Sequence, residues 1–289
     1  MEFAVAGVVL LAASIHPFRE LILKSNAFPE AAYFGVIIVW VGIAVTHALI
    51  IGVDIASVYA VWPLVVISAF SLMFYYIGIL TTMKTGDVSV YYPIIRAAPL
   101  FIVVVGWLLL GQRYGPMMLA GVGLVVIGAF FLQYRRGSRL LHHRATFATA
   151  LLAMVGMGTQ SLADSEAMKA VEPSALLVCE YLLLAPTCGL YLTLRKPQGR
   201  PLLRHLFGGW KLTPFRYLAA AASSYLSYYL ILVSYQMGGD VAAVNSLRQA
   251  SIPLSVILSG VFLKEADTLG RLVWAIVLAA GIIVIIAAG

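Results

Sequence analysis

Apolar residues run along this chain in long unbroken stretches, not in the alternating or one-sided patterns of soluble strands and helices. Ten stretches have the roughly 17 to 25 residues that carry a helix across about 30 Å of hydrocarbon. They lie near residues 3–23, 30–51, 57–80, 88–111, 115–134, 146–169, 174–194, 215–237, 241–263 and 268–288. Breakers separate them: Asn26-Ala27-Phe28-Pro29 after the first, Gly111 to Pro116 between the fourth and fifth, Glu172-Pro173 after the sixth. The longest connection, Arg195 to Phe215, is rich in Pro, Gly and Arg and predicts a loop with a short interfacial helix at 202–207. The pattern predicts an all-α integral membrane protein with ten transmembrane helices.

The pattern also repeats. Tyr75-Tyr76 recurs 153 positions later as Tyr228-Tyr229, Gly86-Asp87 as Gly239-Asp240, Gly111-Gln112 as Lys264-Glu265, and Gly128 as Gly281. Segments three to five match eight to ten at this offset, whereas the first and sixth match best at 145, where Lys24 falls on Lys169. The unit is therefore five helices, residues 1–144 and 145–289. Because five is odd, the second copy enters the membrane from the opposite face, which predicts two inverted five-helix repeats.

Composition narrows the class. Of 289 residues, 62% are hydrophobic and 11% charged, too apolar for a soluble core to hide, so membrane lipid is the expected solvent. The net charge of +7 sits in short loops between apolar runs, which argues against a nucleic-acid partner. Loops after segments one, three, five, seven and nine hold fifteen Lys and Arg, from Arg19 and Lys24 to Lys264 and Arg271; the opposite side holds Arg113 and Lys169. By retention of positive charge inside, both termini are expected outside a cell inner membrane. Met1-Glu2 carries no positive n-region, so no cleavable signal peptide is expected. Cys179 and Cys188 lie nine apart in one apolar segment and read as small core residues. No cofactor is expected, and no His pair has metal spacing.

Polar residues inside the apolar runs carry the chemical information. Arg96 lies about eight residues into segment four, roughly 12 Å deep. Arg248 lies at similar depth in segment nine. A buried charge costs several kcal/mol unless it meets water or a partner, so both should face the interior. At the 153 offset Arg248 falls on Ile95 and Arg96 on Gln249, a mismatch of one helical position, about 100° of azimuth. A planar guanidinium suits a carboxylate or phosphate ligand, and an ion pair with Glu180 is the competing reading for one of them. Glu180 is the deepest clear carboxylate and a candidate for proton coupling or for that ion pair; His47 is a second candidate relay. Asp164 and Glu166, near the end of segment six, read as solvated helix ends. Tyr76 and Tyr229, matched across the repeat, are candidates to line a cavity, and Asn245 and Gln249 offer amides beside Arg248.

A Tyr-rich third and eighth segment, a Pro followed by an apolar run ending in Leu110-Gly111-Gln112 or Leu263-Lys264-Glu265, and a glycine-spaced fifth and tenth helix resemble the drug/metabolite transporter superfamily, specifically its ten-helix EamA-like branch. The resemblance implies alternating access of one central cavity, for substrates that range over the family from amino acids and amine drugs to sugars and phosphorylated metabolites. Two departures stand out: Ser14-Ile15-His16-Pro17 occupies the place of the branch's common Trp-Gly, and relatives are drawn with both termini inside. The expected function is secondary transport of a small anionic or zwitterionic metabolite by a monomer or homodimer. A broad exporter of amphipathic compounds or amino acids and a lipid-phosphate flippase are the alternatives. An enzyme is not expected, since no nucleophile, metal or acid–base constellation has usable spacing.

Overall fold

The computed structural model describes residues 2–23, 29–85, 88–133, 144–199, 201–210, 214–254 and 268–288. These residues are helical, and among them there is no strand. The helices are α1 (Phe3–Ile15), α2 (Pro17–Leu23), α3 (Pro29–Ile51), α4 (Trp62–Thr85), α5 (Val88–Ile95), α6 (Ala98–Leu109), α7 (Pro116–Gln133), α8 (Arg144–Ala167), α9 (Pro173–Leu194), α10 (Leu202–Phe207), α11 (Pro214–Gln236), α12 (Val241–Leu247) and α13 (Thr268–Ala287). Short 3-10 turns at Ile55–Val61 and Arg248–Ala250 precede α4 and follow α12. The expected interfacial helix at 202–207 is α10.

Six helical stretches among the described residues are long and apolar enough to cross a membrane, and the chain is membrane-embedded. They correspond to segments two, three, four, six, seven and eight. The first, fifth and tenth segments give shorter apolar helices, Phe3–Arg19, Pro116–Leu132 and Val273–Ala287. The later part of segment nine, with Leu263-Lys264-Glu265, lies outside the described residues, as do Gly86-Asp87 and seven of the fifteen counted loop charges.

Three segments are interrupted, and each interruption has a proline behind it. Pro17 starts a new helix after His16, dividing segment one into α1 and α2. Segment four breaks at Arg96-Ala97, between Pro93 inside α5 and Pro99 in the first turn of α6. Pro99 has no N–H to give Ile95, and Leu100 N–H turns back to Ala97 O at 3.0 Å, so the Arg96 carbonyl loses its usual helical donor. Segment nine starts from Asp240, whose side chain caps the Ala243 N–H at 2.9 Å, and tightens into the 3-10 turn after Leu247, with Pro253 just beyond.

The helices pair in a regular scheme. α4 packs along α8, α1 along α11, α3 along α9 and α7 along α13. Small residues set the closest approaches. A Cβ at Gly128 would lie 2.8 Å from Leu278 Cβ, and one at Gly281 would lie 2.8 Å from Val125 Cγ2, so α7 and α13 touch backbone to backbone at both points. With lipid as the competing apolar partner, such close packing is what holds membrane helices together.

Candidate functional site

The helix breaks and the polar faces of α4, α8, α9 and α11 converge on a cavity of about 50 Å³. Both intramembrane arginines line it. Arg96, 6% exposed, enters from the α5/α6 break with its guanidinium 5.2 Å from the Tyr92 ring centroid. Arg248 enters from the 3-10 turn after α12, with its guanidinium 5.4 Å from the Tyr228 ring centroid and Nη1 3.4 Å from Asn245 Oδ1. Each cation is thus carried on an aromatic face, the arrangement that lets a guanidinium persist away from bulk water. A third cation joins them: Arg19 of α2, counted above among the loop charges, is 7% exposed and lines the same cavity with its guanidinium 5.4 Å from the Tyr33 ring. The inside count therefore falls to fourteen against two. The sequence signal for Arg19 was its place two residues after the His16-Pro17 break, which turns α2 toward the centre.

Gln249 does not line the cavity. Its Nε2 donates to the Arg96 carbonyl at 2.9 Å, supplying the donor that the proline break withholds. The two residues are separated by 153 positions, the repeat offset itself. Asn245 is buried and fully engaged: Nδ2 donates to Tyr235 Oη and to Val241 O, each at 2.9 Å, and Oδ1 accepts from Ser161 at 3.1 Å and from Arg248. It positions Arg248 instead of lining the cavity.

Of the matched tyrosines, Tyr76 lines the cavity and Tyr229 does not. Tyr229 stacks on Tyr225 at 6.2 Å and meets the His47 ring at 5.0 Å, in an aromatic cluster between α11 and α3. Its neighbour Tyr228 takes the cavity position, one residue round the helix. His47 bonds Tyr225 Oη at 2.8 Å and stays within that cluster. Trp40 closes another side, stacked on Tyr181 at 4.1 Å and donating its Nε1–H to Ser224 at 2.7 Å.

The carboxylates differ most from expectation. Glu180, 0% exposed, is not ion-paired with either arginine among the described residues; its Oε1 takes Gln160 Nε2 at 2.8 Å and faces Ser68 Oγ at 3.0 Å. Asp164 is not a solvated helix end. It is 0% exposed, with Oδ1 accepting from Ser68 at 2.5 Å and Oδ2 accepting from the Tyr228 hydroxyl. Glu166 does behave as a surface residue, pairing with Lys169 at 2.7 Å. Ser68 is thus an addition to the site, Asp164 moves from helix end to interior, and Tyr228 stands where its neighbour Tyr229 is expected. The available signal was a stripe on segment six, Gln160, Ser161, Asp164 and Ser165, spaced by one, three and one: a polar face on an otherwise apolar helix.

No family model matches the chain. No curated protein matches it either. A solved structure, described only as the crystal structure of a protein, aligns with a TM-score of 0.78 over 99% of this chain and 98% of its own, at 17% identity. The fold is shared. At that identity the likeness extends to backbone architecture alone.

Proposed function

We propose that the chain is a secondary transporter of the inner membrane that moves a small anionic or zwitterionic organic metabolite by alternating access, in the manner of the ten-helix EamA-like drug/metabolite transporters it resembles. The observation that carries this reading is the convergence of Arg96 and Arg248, from two broken helices, on one aromatic-walled cavity. Broken helices and intramembrane cations around a central cavity are how transporters hold charged substrates at mid-membrane depth. Among the described residues Arg248 has no carboxylate within ion-pair range, so its charge is available to a ligand. At about 50 Å³ the cavity admits a few waters, and it widens to load a metabolite.

The reading includes ten spans in two inverted halves, and the helix pairing supports it. Exchanging the halves converts segment three on six, which is α4 on α8, into segment eight on one, which is α11 on α1. It returns α3 on α9 and α7 on α13 to themselves. The same exchange turns Gly128 against Leu278 into Gly281 against Val125.

The test is a thermal-shift panel of carboxylates, phosphates, amino acids and organic cations on the purified chain at two pH values. Stabilisation by carboxylates or phosphates, lost in the Arg96→Ala, Arg248→Ala double variant, supports the site. Stabilisation by organic cations alone sinks it.

A further inference from the structure

We propose that Asp164, Ser68 and Glu180 hold one transferable proton directly behind the cavity, one hydrogen bond from its lining residues Tyr228 and Gln160, and that this proton loads together with an anion at Arg248. The coupling half rests on the transport reading above; the shared proton does not.

The hydrogens at Ser68 are too few for two ionised acids. Ser68 Oγ lies 2.5 Å from Asp164 Oδ1 and 3.0 Å from Glu180 Oε1. A hydroxyl has a single hydrogen to give. If both acids are ionised, one of these contacts sets a carboxylate oxygen against a bare lone pair in a fully buried site. One proton on the pair resolves it. Glu180 O–H then donates to Ser68 Oγ, and Ser68 O–H donates to Asp164. The 2.5 Å distance on the Asp164 side is that of a hydroxyl donating to an ionised carboxylate.

A separate observation assigns the proton to Glu180. Its Oε2 is buried and has no hydrogen-bond partner among the described residues, while both Asp164 oxygens are occupied. An ionised Glu180 would leave a charged oxygen bare where water does not reach; a neutral one leaves only a carbonyl oxygen. Two negative charges on one hydroxyl are disfavoured for the same reason.

The titratable and charged groups that face the pair are Tyr228 and Tyr235 from α11, Tyr181 from α9 with Tyr76 behind it on α4, and Arg248 after α12. His16, a titratable group, and the cations Arg19 and Arg96 line the adjoining cavity. Arg248 connects the pair to the cavity: its guanidinium sits on the Tyr228 ring, and the Tyr228 hydroxyl donates to Asp164. The Arg248 charge favours the pair without its proton. An anion that neutralises Arg248 favours the proton, and by reciprocity the proton favours the anion. Anion and proton therefore bind together in cotransport, not in exchange.

Infrared spectroscopy of the purified, lipid-reconstituted chain reads the proton directly, with no ligand needed. The wild type should show a buried carboxylic-acid carbonyl band at neutral pH, and Glu180→Gln should abolish it. Arg248→Gln, which imitates the neutralised arginine, should keep the band to a pH about one unit or more above the wild type. If Glu180→Gln does not fold, Ser68→Ala retains both acids and should move the band to the higher frequency of an acid with no hydroxyl partner. Absence of the band in the wild type overturns the shared proton, as does a band that neither Glu180→Gln nor Asp164→Asn alters. An unshifted band in Arg248→Gln overturns the coupling. An intact, shifting band in a chain that no panel compound stabilises overturns the transport reading alone.

Discussion

The two broken helices at the centre carry the same element, an arginine at an interrupted turn, in two different ways. In the α5/α6 break, Pro93 and Pro99 fix the backbone on either side of Arg96, and the freed Arg96 carbonyl is tied down by Gln249. At the end of α12, Arg248 sits in a 3-10 turn, half-buried, held through a long 3.4 Å bond to Asn245 and a tyrosine face. The first break is locked in its backbone. The second is held through side chains, and those side chains lead to Asp164 and Glu180. The two breaks thus hold a fixed arginine and an adjustable one, and the adjustable one reaches the buried acid pair through Tyr228.

Substitutions at the two arginines should produce the largest effects and test whether the difference is functional. Arg248→Ala and Arg96→Ala should each lower ligand affinity at least about tenfold, the loss of one charge-assisted contact in a buried site. Only Arg248→Ala should also change how that affinity depends on pH. Titration of the same stabilising ligand at several pH values checks both, and equal pH profiles for the two variants would erase the distinction.

Next in size is the bond that joins the breaks. Gln249→Leu leaves the Arg96 carbonyl buried without its donor, and stability should fall by about 1–3 kcal/mol, read from unfolding in mixed detergent. A fall of similar size is expected from Gly128→Val or Gly281→Val, which force α7 and α13 apart by overpacking. Those glycine variants should leave ligand affinity unchanged in whatever protein folds.

Smaller again is the response to Pro99→Ala. It restores an N–H that can reach the Ile95 carbonyl, so the α5/α6 break should partly heal, with a stability change within about 1 kcal/mol and a measurable loss of ligand affinity as Arg96 turns. Smallest is Tyr229→Phe, expected within about 0.5 kcal/mol of wild type and without effect on ligand affinity. Tyr228→Phe, its neighbour, should alter the pH dependence by removing a donor to Asp164.

The long apolar helices and the burial of the two arginines were legible because lipid imposes length and polarity rules that a single sequence displays. The Pro99 break was legible for the same reason: a missing N–H is written in the residue type. What sequence could not supply was azimuth. Tyr228 and Tyr229 are equivalent in a linear reading, yet about 100° separates a cavity wall from the α11–α3 cluster. The offset marked Arg96 and Gln249 as mates, but not that these mates touch, since contact depends on how α12 packs against α6. Asp164 was misjudged because nearness to a helix end was weighed above the polar stripe it shares with Gln160. Arg19 was misjudged because a charge beside a loop was counted as belonging to it.

The Gln249–Arg96 bond has one further consequence. Under the proposed exchange of conformations, a contact between two equivalent positions is carried back onto nearly the same place, whichever half is acting as the mobile one. Its length need not change while everything distant from it does. The bond is then a fulcrum: the halves rock about it, the groups nearest it move least, and the widest swing falls at the ends of the helices, where a ligand enters and leaves.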